Sequence, residues 1–575
     1  MNLFLTKLDC KIDSEKKNIF LGRWCLAHEL NTNKYGEFET LNYHWDDDKK
    51  INEDYKYLYN FYYKILKFLS KKLNKIHSLE NNLRFWHVLV GAWLYKFLIQ
   101  SYDKWECIKK AFIEFPISSI YYYKFETKDI ISSDLTDLNK LGNNDVWQNH
   151  FFSLIAKEQV KTNIRFIQLK QSTKKKQKFI LNKYTKQTNY TLQKLDKFLS
   201  IIQKNPKVTL YQTYFQKKNN LKIFFKSLTI PRLYSEFELQ KELPEPMNRD
   251  KLSLEFSSDI NYENFVKKNI FKFMPISYLE GFNTVNEISK KIDLNPKTII
   301  SATGQANDLF SLWAANKINK GSKYLYAEHG GNIEDCPHFD SCLSKFDLFL
   351  SWNHSSKKNV KQIAPQFYNK KIARKDLTLG DKLYVILSTP NLYNHRLHYA
   401  LKSDQFIYEY EKLKSLKKLS PNIYNALKFR LHQNSFRWVM KERIQQDFDN
   451  DKVCSINKID NIFIKSKIIL NMDLQTSFYQ SMYSGKPNIV FTSRKLIENI
   501  NPKIKELYEK FLEEKIIITD MSNLIKHIHS IWDNPYEWWH KKSLIKLRQD
   551  FSYLCSKETN NFSTEILQII NNYEN

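Results

Sequence analysis

The amino-acid sequence predicts an α/β protein with two tandem Rossmann-like domains, each built on a parallel sheet, around a central cleft and with a helical elaboration at the N-terminus. The chain has 575 residues, which is more than one ordinary core accommodates. Its hydrophobic content of 42% excludes disorder of the whole chain. From about residue 297, short apolar runs alternate with single helical segments, a pattern typical of βαβ units and parallel sheets.

Two series of apolar runs supply the predicted strands, and a polar segment near 354–380 separates the series. The first series is KTIIS (297–301), KYLYA (323–327) and DLFLS (347–351). The second series is KLYVILS (382–388), ALKFRLH (426–432), SKIIL (466–470), NIVF (488–491) and KIIIT (515–519). Helices are predicted over 404–418, 476–484, 522–531 and 536–555. We therefore expect one domain over residues 1–365 and a second over 366–575.

The N-terminal half is predicted to be rich in helices. One strand signal, NIFLG (18–22), precedes an amphipathic helix near 55–77. The run 84–100 is apolar nearly all round, which indicates a buried helix. Four tryptophans of this half are expected in the core rather than at a sugar-binding surface: Trp24, Trp45, Trp86 and Trp93.

The net charge of +28 predicts attraction to anions such as lipid headgroups or phosphorylated substrates. The excess is mostly lysine, whereas sequence-specific readers of nucleic acid favour arginine, and no reader motif is recognisable. We therefore expect no specific nucleic-acid partner. The Lys/Gln-rich stretch 170–187 is interpreted as a solvated helix or loop, with contact to an anionic membrane surface as the alternative.

The seven cysteines form no C-x-x-C pair, and no window reaches the 18 apolar residues that a membrane span needs. These features predict a cytoplasmic protein, with peripheral attachment to the inner face of the cell membrane as an option. No D-x-D pair follows a predicted strand, and the run Asp46–Asp48 is interpreted as a turn or helix cap. We therefore expect neither a metal ion nor a cofactor. The chain has no P-loop, H-E-x-x-H or G-x-S-x-G motif, which disfavours kinases and hydrolases.

The sequence EHGGN follows the predicted strand KYLYA and is a candidate catalytic loop. Histidine has the unperturbed pKa best suited to a general base near neutral pH, so His329 is the candidate base. Glu328 is expected either to orient His329 or to act as the base itself. Gly330 and Gly331 leave room for a ligand close to the backbone, and Asn332 completes the polar loop. The alternative interpretation is a tight turn that carries a structural histidine.

Three loops of the second domain carry candidate ligand-binding residues. Arg430 and His432 alternate at the end of a predicted strand, so both are expected on one face within reach of a phosphate. The alternative is a surface pair on an edge strand. Ser388 follows the first strand of this domain and is a candidate contact of the donor phosphate or the acceptor.

The segment Gln475-Thr476-Ser477 opens the predicted helix 476–484 and is a candidate phosphate site. An exposed helix N-terminus with hydroxyl groups binds phosphate readily. Gly485-Lys486-Pro487 is a sound stop for this helix. The same residues would also cap the helix if no ligand were present, so capping alone is the alternative.

Six segments in register resemble a family of transferases found in gene clusters for O-antigen and other surface carbohydrates. The segments are FLGRWCL (20–26), NYHWDD (42–47), LNKIH (73–77) with LRFWHVLVGAWL (83–94), MPISYLEGF (274–282), AANKINKGSKYLYAEHGGN (314–332) and IWDNPYEWW (531–539). Their order and approximate spacing agree over nearly the full length. Locally, EHGGN is also similar to the His-Gly loop of polymerases of the teichoic-acid type.

The resemblance implies a glycosyltransferase of the B type that uses a nucleotide-activated sugar. It implies that residues 1–365 take the acceptor, a surface glycan or its lipid-linked precursor, and that residues 366–575 take the donor. Two positions depart from the family: Glu328 replaces a glutamine, and QTSFYQ (475–480) lacks the usual glutamate after threonine. The missing glutamate favours a second interpretation, a non-catalytic carbohydrate-binding or scaffold subunit of a polysaccharide assembly complex.

Overall fold

Among the residues that it describes, a computed structural model of the chain contains three five-stranded sheets in which all strands are parallel. It describes residues 1–7, 17–32, 35–125, 130–160, 163–169, 190–239, 242–330, 344–367, 380–394, 397, 403–432, 438–456, 458–498, 500, 502–559 and 561–574. The predicted α/β class with parallel sheets is confirmed.

The first sheet has the strand order β3-β2-β1-β4-β5. Its strands are β1 Asn2–Phe4, β2 Asn18–Phe20, β3 Phe38–Thr40, β4 Ser119–Tyr123 and β5 Arg165–Leu169. The helices of this region are α1 Asp48–His77, α2 Leu83–Glu114, α3 Leu135–Leu141 and α4 Asp145–Gln159. The predicted N-terminal elaboration thus has a sheet of its own in addition to its helices. The predicted cap is confirmed, because the Asp47 carboxylate accepts hydrogen bonds from the amides of Lys49 and Lys50.

The second sheet has the order β10-β9-β8-β7-β6, so consecutive strands lie side by side. Its strands are β6 Val208–Tyr211, β7 Thr298–Ser301, β8 Lys323–Ala327, β9 Leu348–Ser351 and β10 Val360–Gln362. The helices of this part are α5 Tyr190–Ile202, α6 Lys217–Lys226, α7 Asn261–Asn269, α8 Phe282–Lys291 and α9 Asp308–Ile318. Strands β7 and β9 are buried along their whole length, as expected for a parallel sheet with helices on both faces.

The third sheet has the order β12-β11-β13-β14-β15, with β12 at one edge. Its strands are β11 Lys382–Ile386, β12 Leu427–Arg430, β13 Ser466–Asn471, β14 Asn488–Phe491 and β15 Ile517–Ile518. The helices up to β15 are α10 Ser403–Leu413, α11 Pro421–Ala426, α12 Met440–Asp447, α13 Ile459–Lys465, α14 Thr476–Ser484, α15 Arg494–Glu498 and α16 Pro502–Glu513. The final helices are α17 Met521–Ile531, α18 Pro535–Trp539, α19 Lys542–Cys555 and α20 Phe562–Glu574.

The C-terminal helix crosses back to the second sheet. In α20, Phe562 has its ring centroid 4.9 Å from that of Phe215, and Thr564 accepts a hydrogen bond of 2.7 Å from Lys226 Nζ. The Tyr573 hydroxyl donates to the Asp347 carbonyl at 2.7 Å. The last helix therefore packs on the part of the chain that holds β6 and β9. The domain boundary at 365/366 stays a prediction.

The interior is rich in aromatic side chains, as the composition predicts. Trp45, Trp86 and Trp93 have no exposed surface, and Trp24 is also buried. The predicted core position of these tryptophans is confirmed. No helix in the described ranges combines the length and the apolar character needed to cross a membrane.

Candidate active site

The loop after β8 and the N-terminus of α14 meet between the second and third sheets. Gly330 lies so close to α14 that a Cβ atom on it would be 3.1 Å from the Thr476 hydroxyl oxygen. Trp352, directly after β9, has its ring centroid 5.9 Å from that of Tyr479 in α14. Because both sheets present the carboxyl ends of their strands here, two motifs predicted separately lie side by side. Gly331 and Asn332 lie outside the described residues.

The first turn of α14 faces this meeting point. Thr476 and Ser477 are its first residues and are half-buried. The N-cap residue Gln475 makes no side-chain capping hydrogen bond, and its carbonyl accepts the Phe478 amide at 2.9 Å. The helix ends at Gly485 with φ of 74°, as the predicted stop requires. The amides and hydroxyls of this turn, together with the helix dipole, form a suitable environment for an anion.

Asp473 is a member of the site that the sequence analysis did not single out. Its carboxylate accepts hydrogen bonds from the Ser388 hydroxyl and, at 3.1 Å, from the Gln475 amide. Burial raises the pKa of Asp473, whereas these hydrogen bonds and the nearby His432 act in the opposite direction. Asp473 therefore joins three predicted residues, Ser388, Gln475 and His432, in one cluster. Its position just after the apolar strand β13 was the signal that could have identified it.

His329 is exposed and stacks on an aromatic ring. Its ring centroid lies 5.1 Å from that of Tyr214, with 22° between the ring planes. Tyr214 follows β6, two strands away from β8 in the same sheet, and has φ of 61°. The stacked tyrosine restricts the orientation of the imidazole at the open side of the loop, next to Gly330.

Glu328 points into the protein and has no exposed surface. Its Oε2 atom accepts hydrogen bonds from the Ser351 hydroxyl at 2.9 Å and from the Trp352 amide at 2.7 Å. The Gln366 side chain donates to the Glu328 carbonyl. This geometry makes Glu328 a link between the ends of β8 and β9. Glu328 was predicted either to orient His329 or to act as the base, and both roles stay predictions; a carboxylate held by these contacts agrees better with the first.

Arg430 and His432 have different neighbours. Arg430 is half-buried at the end of the edge strand β12, in register with Ile386 of β11, and its pKa is lowered by burial. Its carbonyl accepts the Leu387 amide at 3.0 Å, one residue before Ser388. His432 is exposed and close to Asp473. The edge position of β12 agrees with the alternative interpretation of a surface pair, while the neighbourhood of Ser388 agrees with a ligand-binding role.

Within the described ranges, one group of side chains brings metal-binding atoms together, and it lies at the first sheet. The ligand atoms of His44, Asp103 and Cys107 are within 4.8 Å of one another. Asp103 Oδ1 accepts the Tyr43 hydroxyl at 2.6 Å and lies 3.0 Å from His44 Nε2. The buried ammonium group of Lys104 stands beside this group and disfavours a second cation there. The contacts describe a buried hydrogen-bond network.

Comparison with known proteins identifies the family of this chain but not its substrates. A crystal structure of UDP-N-acetylglucosamine 2-epimerase is similar over 51% of this chain and 76% of that chain, with 12% sequence identity and a TM-score of 0.28. No curated protein matches the sequence. The model of the LIC12162 family transferases matches residues 1–570. The predicted membership in a transferase family is therefore confirmed, and the chain belongs to the LIC12162 family of transferases.

Proposed function

We propose that the protein transfers a sugar from a nucleotide-activated donor to a bacterial surface polysaccharide or its lipid-linked precursor. The observation that carries this proposal is the close approach of Gly330 to Thr476. It joins a loop with a candidate base to a helix N-terminus suited to phosphate. Membership in a transferase family supports the reaction type. The proposal includes a cytoplasmic location at the inner face of the cell membrane.

In the proposed reaction, His329 removes the proton from the acceptor hydroxyl as that oxygen attacks the anomeric carbon of the donor sugar. The bond between the anomeric carbon and the nucleotide phosphate breaks, and the phosphate leaves with the bonding electrons. Thr476, Ser477 and the amides of α14 stabilise the charge on the leaving phosphate, with Arg430 as an additional cation and His432 as an additional hydrogen-bonding group. We propose that these groups replace a divalent metal ion.

The decisive experiment measures acceptor-dependent release of nucleotide from UDP-, GDP-, CMP- and dTDP-sugars in the presence of membrane extract as acceptor source. We expect His329→Ala to reduce kcat by about 10²–10⁴-fold, the usual contribution of a general base. Donor affinity should stay nearly unchanged, because the proposed donor contacts come from the third sheet.

His354 offers a matched control for this experiment. It is also an exposed histidine after a strand of the second sheet, and its ring stacks on Tyr553 at 5.8 Å. His354→Ala should therefore leave turnover unchanged. A folded His329→Ala protein with full turnover would show that His329 is not the general base. Donor binding without any acceptor-dependent release in the native protein would instead support the non-catalytic subunit.

A further inference from the structure

Helix α5 has its amphipathic faces reversed with respect to a helix of a soluble protein. Leu195, Phe198 and Ile202 follow one another at spacings of three and four residues and are all exposed. On the opposite face, Asp196 and Ser200 are buried. The face with Asp196 and Ser200 therefore packs against the protein, and the face with Leu195, Phe198 and Ile202 points outward.

Hydrogen bonds attach α5 to the turn that follows α6. The Asp196 carboxylate accepts the amides of Leu233 at 3.0 Å and of Ser235 at 2.7 Å. The side chain of Gln203 donates to the Leu228 carbonyl and accepts the Ile230 amide, both at 2.8 Å. These bonds fix the exposed side chains of α5 beside those of the turn.

The result is a group of exposed apolar side chains on two adjoining segments, here named the apolar patch. Its members are Leu195, Phe198, Ile201, Ile202, Phe225, Leu228 and Leu233. Phe225 is 69% exposed and Leu228 is 84% exposed. Isolated exposed apolar residues are normal on a soluble protein, but a cluster of seven large ones marks an interaction site.

The two helices that carry the apolar patch also carry exposed lysines. Residues 190–226 contain eight lysines and one acidic residue, the buried Asp196. Lys194 and Lys197 lie on α5, and Lys218 and Lys222 lie on α6, all of them exposed. Among the ion pairs of the described residues, none involves these four lysines. Exposed cations without ion pairs, on the helices that present large apolar side chains, are complementary to a surface with anionic headgroups above an apolar interior.

We propose that the apolar patch and its lysines dock the protein on an anionic lipid bilayer. The leucine, isoleucine and phenylalanine side chains enter the boundary between headgroups and acyl chains, and the lysines bind lipid phosphates. Tyr214, which stacks on His329, lies between β6 and α6, and α6 carries Phe225 of the apolar patch. Docking therefore places the domain that carries His329 at the membrane. Resting on the proposed function, this assigns a lipid-linked glycan as the acceptor.

Sedimentation with vesicles tests the docking without donor or acceptor. The full chain is mixed with vesicles of phosphatidylcholine alone, or of phosphatidylcholine with phosphatidylglycerol, at low and physiological salt. We expect binding to the anionic vesicles, weakened by salt. Phe198→Glu combined with Ile202→Glu should reduce binding by about tenfold or more, because two charged groups would have to enter the apolar region. Ile113→Glu is the matched control, since Ile113 is 74% exposed on α2, outside the apolar patch.

The lysines are tested in the same way. Lys218→Ser combined with Lys222→Ser should weaken binding to anionic vesicles, whereas Lys290→Ser combined with Lys291→Ser on α8 should not. Circular dichroism confirms that each variant is folded, as expected for exposed positions. Unchanged vesicle binding in the patch variant would overturn the docking surface, and so would a concentration-dependent dimer that the patch variant abolishes. A protein that binds vesicles but transfers no sugar would contradict the proposed function alone.

Discussion

Replacement of Lys104 by methionine is expected to stabilise the protein. Lys104 is completely buried on α2, and among the described residues its Nζ atom has no hydrogen-bond partner. The ammonium group lies 4.7 Å from the ring centroid of Phe152, 5.1 Å from that of Phe151 and 6.0 Å from that of Tyr393. Burial lowers the pKa of Lys104 from 10.5 to about 8, although Asp103 acts in the opposite direction.

The magnitude follows from linkage between proton binding and folding. A pKa lowered by about 2.5 units costs about 3 kcal/mol of stability at pH 7, because the unfolded chain holds the proton more tightly. The aromatic rings recover about 0.5–2 kcal/mol through cation–π contacts. Methionine keeps the packing of the aliphatic stem and removes the charge. We therefore expect Lys104→Met to raise the free energy of unfolding by about 1–3 kcal/mol at pH 7.

The sign of the pH dependence gives a second readout. Because the pKa of Lys104 is lower in the folded state, its destabilising effect is complete below about pH 8 and disappears as the pH rises towards 10.5. The advantage of the variant should therefore shrink between pH 7 and pH 10. Urea unfolding followed by tryptophan fluorescence measures both quantities as shifts of the transition midpoint.

Lys317→Met is the control for this experiment. Burial lowers the pKa of Lys317 as well, but its ammonium group donates a hydrogen bond of 2.7 Å to Asn295, so the control should gain less stability than Lys104→Met. A Lys104→Met protein that is less stable than the native one at pH 7 would refute the reasoning. An advantage of the same size at pH 7 and pH 10 would show that the charge is not its origin.

Three further predictions concern the candidate site. Arg430→Ala should weaken donor binding by about 1.5–3 kcal/mol in calorimetry, the range of a charge-assisted hydrogen bond, whereas Lys428→Ala, whose ammonium group bonds to Asp451, should not. Glu328→Ala should lower the free energy of unfolding by about 1–3 kcal/mol, because the Trp352 amide loses its acceptor. Glu328→Gln keeps that acceptor and should retain most of the stability and activity. Activity should persist in EDTA, and restoration by manganese after a loss in EDTA would contradict the metal-free mechanism.

Long apolar runs made the second and third sheets predictable, whereas the first sheet was largely missed. KYLYA and NIVF coincide with β8 and β14, because each is an apolar run that follows a single polar residue. The strand β1 has only three residues, and β3 does not alternate apolar and polar residues. Neither strand therefore shows the two-residue period that identifies a strand in a sequence. β1 pairs with β4, where Asn2 lies opposite Ser119, and no local window contains both strands.

The candidate site was predictable where it depends on strand ends and unpredictable where it depends on distant partners. Ser388 and Thr476 follow strands of one sheet, and the rule that ligands bind beyond the carboxyl ends identified both. Asp473 gains its importance from the Ser388 hydroxyl, 85 residues away in the chain. Glu328 reads as a catalytic carboxylate in sequence, but its acceptor sites are used by Ser351 and Trp352 of the neighbouring strand end.

The segment after β11 connects the first sheet to the candidate site. The Tyr393 hydroxyl donates to Asp145 at the start of α4, and Trp438 Nε1 donates to the Pro390 carbonyl, at 2.7 and 3.0 Å. Ser388 lies at the beginning of this segment, so the segment joins the Ser388–Asp473 hydrogen bond to the part of the chain that holds α4. Lys104 contacts Tyr393 in the same interface. The free-energy cost of burying Lys104 therefore falls on a contact of this segment. For this reason kcat of the Lys104→Met variant is informative. A more stable protein with lower turnover is the result expected if movement of this segment is part of the catalytic cycle.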